Sequence, residues 1–252
     1  MPQNLSYDLL EGMTSISALL ERPDAASRVF EVLVDETKRA SKAREIAFLQ
    51  AKSKELGFSL QFVDPQTIAS LATGKTHGGI LAKCRAIELP VLTVQEILPN
   101  GFYAYLDGIE DPYNFGYTLR SLYAFGISGV ILTERNWMSA AGVVAKSSAG
   151  TSEKLPLYVS SVENAIELFK GAGYRIAAAG IRNAEDVIDA DCSYPLLLVI
   201  GGEKRGISGK LLEKCDLVLK IPYARAFRGS LPTASAASVL AFEIFRKNIA
   251  KK

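Results

Sequence analysis

Apolar and polar residues alternate in blocks along the N-terminal part of the chain, and each block predicts one element. Apolar, partly β-branched runs are typical of strands and predict three of them: Arg28–Val34, Phe58–Val63 and, after a turn, His77–Cys84. Helical spacing predicts two helices, the first ended by Gly57: Ser41–Leu56 and Pro65–Leu71. This mixture predicts a small α/β domain over residues 1–90.

The C-terminal part shows the same alternation over a longer stretch. Apolar runs predict six strands: Phe102–Leu106, Val130–Leu132, Leu157–Val159, Arg175–Gly180, Leu196–Ile200 and Leu217–Ile221. Helical spacing predicts four helices: Asn114–Phe125, Ala140–Ser148, Val162–Gly171 and an Ala- and Ser-rich helix after Thr233 that extends to about Lys247. A strand that regularly follows a helix indicates a parallel sheet with helices on both faces. We therefore expect a second α/β domain over residues 102–252.

The boundary between the two domains is expected at residues 91–101. This stretch is flanked or interrupted by Pro90 and Pro99 and has no clear periodicity, which is typical of a linker. A chain of 252 residues is long enough for two ordinary domains, each with its own buried core.

The composition is that of a soluble globular protein. Hydrophobic residues make up 48% and charged residues 22% of the chain, and the net charge is +2. Apolar runs stay below the roughly 18 residues of a membrane span, so no membrane partner is expected. The first residues are polar and unlike a signal peptide, which favours a cytoplasmic location. The three cysteines lack CxxC spacing, so neither a disulfide framework nor a bound metal is expected.

One segment of the N-terminal domain is strongly basic. Between residues 38 and 54, a single acidic residue, Glu45, stands against six basic ones: Lys38, Arg39, Lys42, Arg44, Lys52 and Lys54. A basic helix face of this kind could follow nucleic-acid phosphates. A solvated helix surface accounts for the same pattern, and the sequence leaves both interpretations open.

The last two predicted strands end at loops suited to ligand binding. The run Leu196–Ile200 leads into Gly201 and Gly202, and the next strand is stopped by Pro222. Open α/β sheets bind ligands at such carboxyl ends. The glycine spacing excludes the Rossmann dinucleotide motif, and Leu211 after Gly209-Lys210 excludes a P-loop.

Three ordered motifs carry a resemblance to a known family. They are Asp111-Pro112-x-Asn114-x-Gly116-x-x-x-Arg120, then Gly201-x-Glu203-x-x-Gly206, then Ile221-Pro222 with Ser230-Leu231. In this order they resemble the SpoU (TrmH-type) RNA 2'-O-ribose methyltransferases of the SPOUT superfamily. The stretch from Ser147 to Gly150 resembles the region between the first two motifs. The N-terminal part is similar to the ribosomal-protein-like RNA-recognition domain of many members.

The resemblance implies S-adenosylmethionine as cofactor, a deep trefoil knot in the C-terminal domain, and a homodimer. Gly201, Ile221 and Leu231 would line the cofactor site through backbone groups. The catalytic residues would be Asn114, Arg120, Glu203 and Ser230. Taken singly, Asn114 and Ser230 could be helix caps, and Arg120 and Glu203 could form a surface ion pair. A guanidinium stays protonated at neutral pH, so Arg120 is first an electrostatic stabiliser and second a base.

The expected activity is methylation of a ribose 2'-hydroxyl, with ribosomal RNA favoured and transfer RNA as the alternative. Four residues of the last loop could grip a splayed nucleotide or form a plain surface loop: Tyr223, Arg225, Phe227 and Arg228. His77, the only histidine, is expected to be a turn residue or an RNA contact. Pro232 stands where the family usually has Asn, which keeps open a third possibility, an RNA-binding member without turnover.

Overall fold

The structure is a computed structural model that describes residues 7–133, 140–202, 206–226 and 229–249. Contacts within it divide the chain into two compact units. The first contains the described residues up to 88 together with 140–154, and the second contains 89–133 and the described residues from 155 onward. Both units are therefore discontinuous in sequence. Strands and helices are numbered along the whole chain.

The first unit is built on a mixed four-stranded sheet of order β1-β4-β2-β3. Its strands are β1 Asp8–Glu11, β2 Val29–Asp35, β3 Ser59–Val63 and β4 Ile80–Cys84. Its helices are α1 Met13–Leu20, α2 Ala25–Arg28, α3 Ala43–Leu56, α4 Pro65–Leu71 and α6 Ala141–Ser147. Strand β4 pairs antiparallel with β1 and β2, whereas β2 and β3 are parallel.

The second unit is built on a seven-stranded sheet of order β7-β6-β5-β10-β8-β11-β9, in which neighbouring strands are parallel. Its strands are β5 Phe102–Asp107, β6 Gly129–Leu132, β7 Leu157–Val159, β8 Arg175–Ala179, β9 Glu185–Asp186, β10 Leu196–Gly201 and β11 Leu217–Lys220. Its helices are α5 Pro112–Ala124, α7 Val162–Gly171, α8 Gly209–Leu212 and α9 Thr233–Ile249. The predicted α/β class and parallel sheet are confirmed.

Strand β10 lies in the centre of this sheet, between β5 and β8. Residues 196–200 are all buried, which explains why the strand is continuously apolar instead of alternating. Beside it, the rings of Tyr103, Phe169 and Tyr174 pack within 6 Å of each other, centroid to centroid. The hydroxyl of Tyr174 also accepts the N–H of Gly101, so this aromatic cluster fixes the start of β5.

Two elements at the start of the chain were not expected from the sequence. Strand β1 has only four residues, too few for a clear alternation. Helix α1 has no side-chain cap, because its N-cap position is Gly12. The signal that usually marks a helix start is therefore absent from the sequence.

Helix α6 lies in the stretch between β6 and β7 but packs in the first unit. At Gly142 an added Cβ would lie 2.2 Å from the carbonyl oxygen of Leu9, so the helix backbone directly contacts β1. Two ion pairs tie the same stretch to the N-terminal residues: Lys146 with Glu11 at 3.0 Å and Glu153 with Arg28 at 2.6 Å. The first unit is completed by a segment that is separated from its other part by about fifty residues of the chain.

Candidate active site

The candidate site begins where β5 and β10 end side by side. In their parallel register Gly201 lies opposite Asp107, so both strands deliver their carboxyl ends to the same edge. From β5 the chain continues outward through β6 and β7 on one side, while β8 and β11 lie on the other side. The order of strands reverses here, and such a switch point is where open α/β sheets form ligand crevices.

Two glycines at the end of β10 are needed for close packing of backbone on backbone. A Cβ on Gly202 would lie 2.0 Å from the carbonyl oxygen of Gly108, and a Cβ on Gly201 would lie 2.4 Å from the carbonyl carbon of Gly206. Gly206 in turn donates its N–H to Gly202 at 2.9 Å. The structure thus gives an internal reason for glycine at 201, independent of any ligand. That Gly201 also lines a cofactor site stays a prediction.

The end of β11 is joined to the start of α9 by a hydrogen bond. The N–H of Leu231 donates to the hydroxyl of Tyr223 at 3.2 Å, although eight residues separate them. This bond holds the Ile221–Tyr223 stretch near Leu231, so two of the predicted cofactor residues are brought into one loop region. Within the described residues, neither the N–H nor the C=O of half-buried Ile221 forms a hydrogen bond.

Helix α5 carries the first motif and begins earlier than the sequence indicated. Asp111 is the N-cap, accepting the N–H of Asn114 at 2.8 Å, and Pro112 occupies the first turn. The expected start at Asn114 was wrong by two residues, because proline suits the first helical turn and extends the helix backward. Asn114 is half-buried in the first turn of the helix.

Arg120 lies on the third turn of α5 and is exposed. It forms no hydrogen bond or ion pair within the described part of the chain. Glu203 lies outside that part, so the surface ion pair considered for these two residues is left open. An exposed guanidinium without a protein partner is available to an anionic ligand.

The last motif leads directly into α9. Ser230 is exposed, and Leu231 is half-buried. The carbonyl of Pro232 accepts the N–H of Ala236 at 3.0 Å, which makes Pro232 the residue that opens the helix. Ser230 is thus two residues too early to cap α9. Three residues predicted for this site lie outside the described residues: Glu203, Phe227 and Arg228.

Sequence reasoning missed two contributors to this edge, Asp107 and Gly108. They follow the predicted strand Phe102–Leu106 but form no motif by themselves, and only the register of β5 against β10 places them beside Gly201 and Gly202. The neighbouring strand end was the signal that could have identified them, since ligand sites use the ends of adjacent strands.

Thiol chemistry is disfavoured by burial. Desolvation raises the pKa of Cys84 to about 12 and the pKa of Cys215 to about 11, so both thiols stay protonated at neutral pH. Over the described ranges, His, Cys, Asp and Glu side chains form no group of three that could hold a metal ion. Over the same ranges, none of the helices has the length and apolar character to cross a membrane.

Comparison with known protein families matches nearly the whole chain. Residues 101–242 match the profile described as the SpoU rRNA Methylase family, which is more than half of the chain. This chain belongs to the SpoU rRNA methylase family. Residues 9–90 match the profile described as RNA 2'-O ribose methyltransferase substrate binding. The family resemblance drawn from the three motifs is confirmed.

Relatives of this family member match different shares of the chain. YacO of Bacillus subtilis, named as a TrmH family tRNA/rRNA methyltransferase, is 29% identical over 237 residues, 92% of this chain and 93% of its own. A TrmH family protein of Staphylococcus saprophyticus is 39% identical over 143 residues, 56% of this chain and 57% of its own. The AdoMet-bound rRNA methyltransferase of Sinorhizobium meliloti has the same fold, with a TM-score of 0.77 at 22% identity, covering 96% of this chain and 87% of its own.

Proposed function

We propose that this family member transfers a methyl group from S-adenosylmethionine to a ribose 2'-hydroxyl of ribosomal RNA. The observation that supports this most is the hydrogen bond from Leu231 to Tyr223, because it gathers the ends of β11 and α9 into one loop region. The substrate-binding profile over residues 9–90 supports RNA as the substrate. The relative from Sinorhizobium meliloti, an rRNA methyltransferase bound to AdoMet, favours this cofactor and ribosomal RNA.

The described residues fit a nucleoside cofactor held by backbone groups. Ile221 offers a backbone donor and acceptor that the described protein leaves unpaired, and its half-buried position would shield them from competition by water. Leu231 contributes an apolar surface on the adjoining loop. Gly201, at the end of β10, would let the cofactor lie close to the main chain because glycine has no side chain. When bound, the cofactor supplies an activated methyl group on a sulfonium.

The protein's own contribution to the reaction is to position the ribose and stabilise charge. The hydroxyl must lose its proton as it attacks, and a nearby cation lowers the energy of the developing alkoxide. Arg120 is exposed, has no partner among the described residues, and supplies that positive charge. Asn114, Glu203 and Ser230 complete the polar set that we assign to the RNA side of the site.

A second copy of the chain is the partner that we propose for α5 and α9. These two helices pack on each other through a 2.6 Å hydrogen bond between the hydroxyls of Ser238 and Ser121 and through the ring of Phe125 against Phe242. Yet they still expose large apolar side chains: Tyr113, Tyr117, Tyr123, Val239, Phe242 and Ile249. Exposed apolar surface of this kind favours an interface between protomers.

The test separates the cofactor, the reaction and the RNA class. Calorimetry measures binding of S-adenosylmethionine, and tritium transfer is measured with ribosomal and transfer RNA in separate reactions. Transfer to ribosomal RNA alone is the expected result. Transfer to transfer RNA alone would favour the alternative suggested by the name of YacO. Cofactor binding without transfer to either would favour a non-catalytic member, the possibility raised by Pro232.

A matched pair of arginine variants tests the role of Arg120. Arg120→Ala is expected to lower methyl transfer by about 10² to 10³ and leave cofactor affinity within a few fold. Arg175 is a suitable control because it is half-exposed at the amino end of β8, the opposite edge of the same sheet. Arg175→Ala is expected to leave transfer unchanged. Loss of cofactor binding in Arg120→Ala would show that the residue belongs to the cofactor side.

A further inference from the structure

The first unit contains a pocket that the proposed reaction does not use. Its volume is about 230 Å³. It is formed by the start of α1, the turn before β4, and side chains from two more distant segments. The residues that matter for its chemistry are Glu11, Ser15, Lys42, His77 and Lys146.

Helix α1 opens into this pocket without a cap. Gly12, its N-cap residue, has φ of 80° and ψ of 154°, a conformation that disfavours any residue with a Cβ, and it supplies no side-chain acceptor. The N–H groups of Met13, Thr14 and Ser15 have no acceptor among the described residues. Unpaired amides at the positive end of a helix dipole form an anion site.

A buried hydroxyl supplies an independent indication of a ligand. Ser15 lines the pocket and is only 2% exposed, yet its side chain has no hydrogen-bond partner among the described residues. Among the described residues, its Oγ is not one of the fully enclosed polar atoms that lack a partner, so the little surface that Ser15 exposes leaves the hydroxyl accessible. A ligand with several acceptor oxygens could pair with this hydroxyl and with the three amides.

The charge of the pocket favours an anion. Lys42 and Lys146 both line it, and the single carboxylate in the lining, Glu11, is already matched. Lys146 contacts Glu11 at 3.0 Å, and the N–H groups of Thr73 and Gly74 also donate to this carboxylate. Lys42 contacts Glu45 at 3.2 Å, but Glu45 does not line the pocket, so a second anion there would meet the unpaired amides and two lysine ammonium groups.

His77 adds one more donor at the rim of the pocket. Its Nδ1 accepts the N–H of Gly79 at 3.0 Å. The proton of the neutral ring is thus on Nε2, which can donate to a ligand.

We propose that this pocket binds one phosphodiester group of the RNA substrate. The inference rests on the proposed function, because it deepens the way in which that RNA is held. Inorganic phosphate shares the same chemistry, but the exposed basic residues near Lys42 extend the positive charge beyond the pocket and fit a polyanion better: Lys38, Arg39 and Arg44. The contact adds affinity and register without reading sequence.

Two lysines of the same region provide a matched test. Lys42 and Lys52 each pair with a glutamate three residues later, and their side chains are 24% and 23% exposed, but only Lys42 is among the pocket residues. The measurement is filter binding to total ribosomal RNA between about 50 and about 500 mM salt, a tenfold range over which the slope of log affinity against log salt is read.

Lys42→Ala is expected to reduce the slope of log affinity against log salt by about 0.7 to 0.9, the change for one lost phosphate contact. Lys52→Ala is expected to leave the slope unchanged. Equal slopes for both variants and the unmodified protein would overturn the proposal.

A second variant separates ligand binding from folding. Thr14 is exposed in the first turn of α1, where an aspartate stabilises a helix through its dipole but repels a phosphate. Thr14→Asp is expected to keep or raise the melting temperature and to reduce the salt slope as Lys42→Ala does. A lowered melting temperature with an unchanged slope would contradict the inference.

Titration with inorganic phosphate distinguishes the two sources of the anion. Amide NMR shifts of residues 13–15 should move with phosphate, and ribosomal RNA should displace it. Phosphate binding that RNA leaves undisturbed would assign the pocket to a free anion and overturn the RNA proposal. If Lys42→Ala reduces the salt slope but the unmodified protein transfers no methyl group, the proposed function is wrong and the phosphate pocket stands. If the unmodified protein transfers methyl groups but Lys42→Ala leaves the slope unchanged, the phosphate pocket is wrong and the proposed function stands.

Discussion

At the scale of single residues, Gly202 has no space for a side chain. An added Cβ would lie 2.0 Å from a backbone oxygen of Gly108, which cannot rotate away as a side chain could. Gly202→Ala is therefore expected to lower the free energy of unfolding by about 1–3 kcal/mol, as overpacking does. Gly171 in α7 has nothing within 4 Å of the same position, so Gly171→Ala should be neutral or stabilising. Similar urea midpoints for the two variants would contradict this account.

A second prediction at this scale concerns the acid stability conferred by Glu11. Burial by itself would raise the pKa of Glu11, but the hydrogen bonds from Lys146, Thr73 and Gly74 outweigh it and lower the pKa below its ordinary value. A lowered folded-state pKa stabilises the fold at pH values above the ordinary one, about 4.3, and this contribution is lost as the pH falls through the folded value. Glu11→Gln should be less stable than the parent at pH 7, and the gap between their urea midpoints should narrow below about pH 4. A constant gap would contradict the prediction.

Residues were predicted from sequence where their chemistry acts locally. Asp111-Pro112 indicates a helix start by itself, although the exact first residue was misplaced by two. The place of Gly201 after a strand predicted a loop, and the family resemblance predicted a cofactor residue, but the contact that requires glycine there comes from Gly206 across a turn. Such contacts depend on tertiary packing, which a strand-ending pattern does not reveal.

At the scale of elements, α6 and the residues after it are expected to stabilise the first unit. The carboxylate of Glu153 is 3% exposed and lies 2.6 Å from the guanidinium of Arg28, which is 7% exposed. Glu153→Gln leaves a buried cation without its partner and should cost about 3–5 kcal/mol of unfolding free energy. The pair between Lys154 and Glu21 joins the same two segments at the surface, so Glu21→Gln should cost less than about 1 kcal/mol. Denaturant unfolding measures both, and equal losses would contradict the distinction.

Elements with a strong periodic or capping signal were predicted correctly, and weakly marked ones were missed. Helix α3 was placed within two residues of its observed start, because its spacing is regular and Gly57 ends it in a left-handed conformation. Strand β9 has two residues and α8 has four, lengths at which no periodicity can be read. The location of α6 could not be predicted at all, since amphipathic spacing does not specify which sheet a helix packs on.

At the scale of the whole molecule, the proposed homodimer makes a prediction about mass in solution. Light scattering at micromolar concentration should give twice the mass of the chain. Tyr117 is 48% exposed on α5, so Tyr117→Glu should shift the protein toward monomer by placing a charge in the interface. Ile188 is 54% exposed outside α5 and α9, and Ile188→Glu should leave the mass unchanged. A monomeric parent protein would contradict the proposal.

The architecture of the larger sheet followed from sequence better than its topology did. Alternating strands and helices predicted a parallel sheet, and this is confirmed. The position of β10 between β5 and β8 could not be inferred, because every inner strand of a covered sheet is equally apolar. The trefoil knot implied by the family stays a prediction.

The position of α6 bears on how this enzyme family can be recombined. Consider a hybrid that takes residues 9–90 from one relative and the remaining residues from another. The backbone at position 9 and the helix at Gly142 would then come from different proteins, although in this chain the two pack so closely that an added Cβ at Gly142 would lie 2.2 Å from the carbonyl oxygen of Leu9. The hybrid would also separate Arg28 from its own Glu153. The unit that contains the substrate-binding match therefore consists of two stretches of sequence, and a stable hybrid requires that residues 140–154 come from the same relative as residues 9–90.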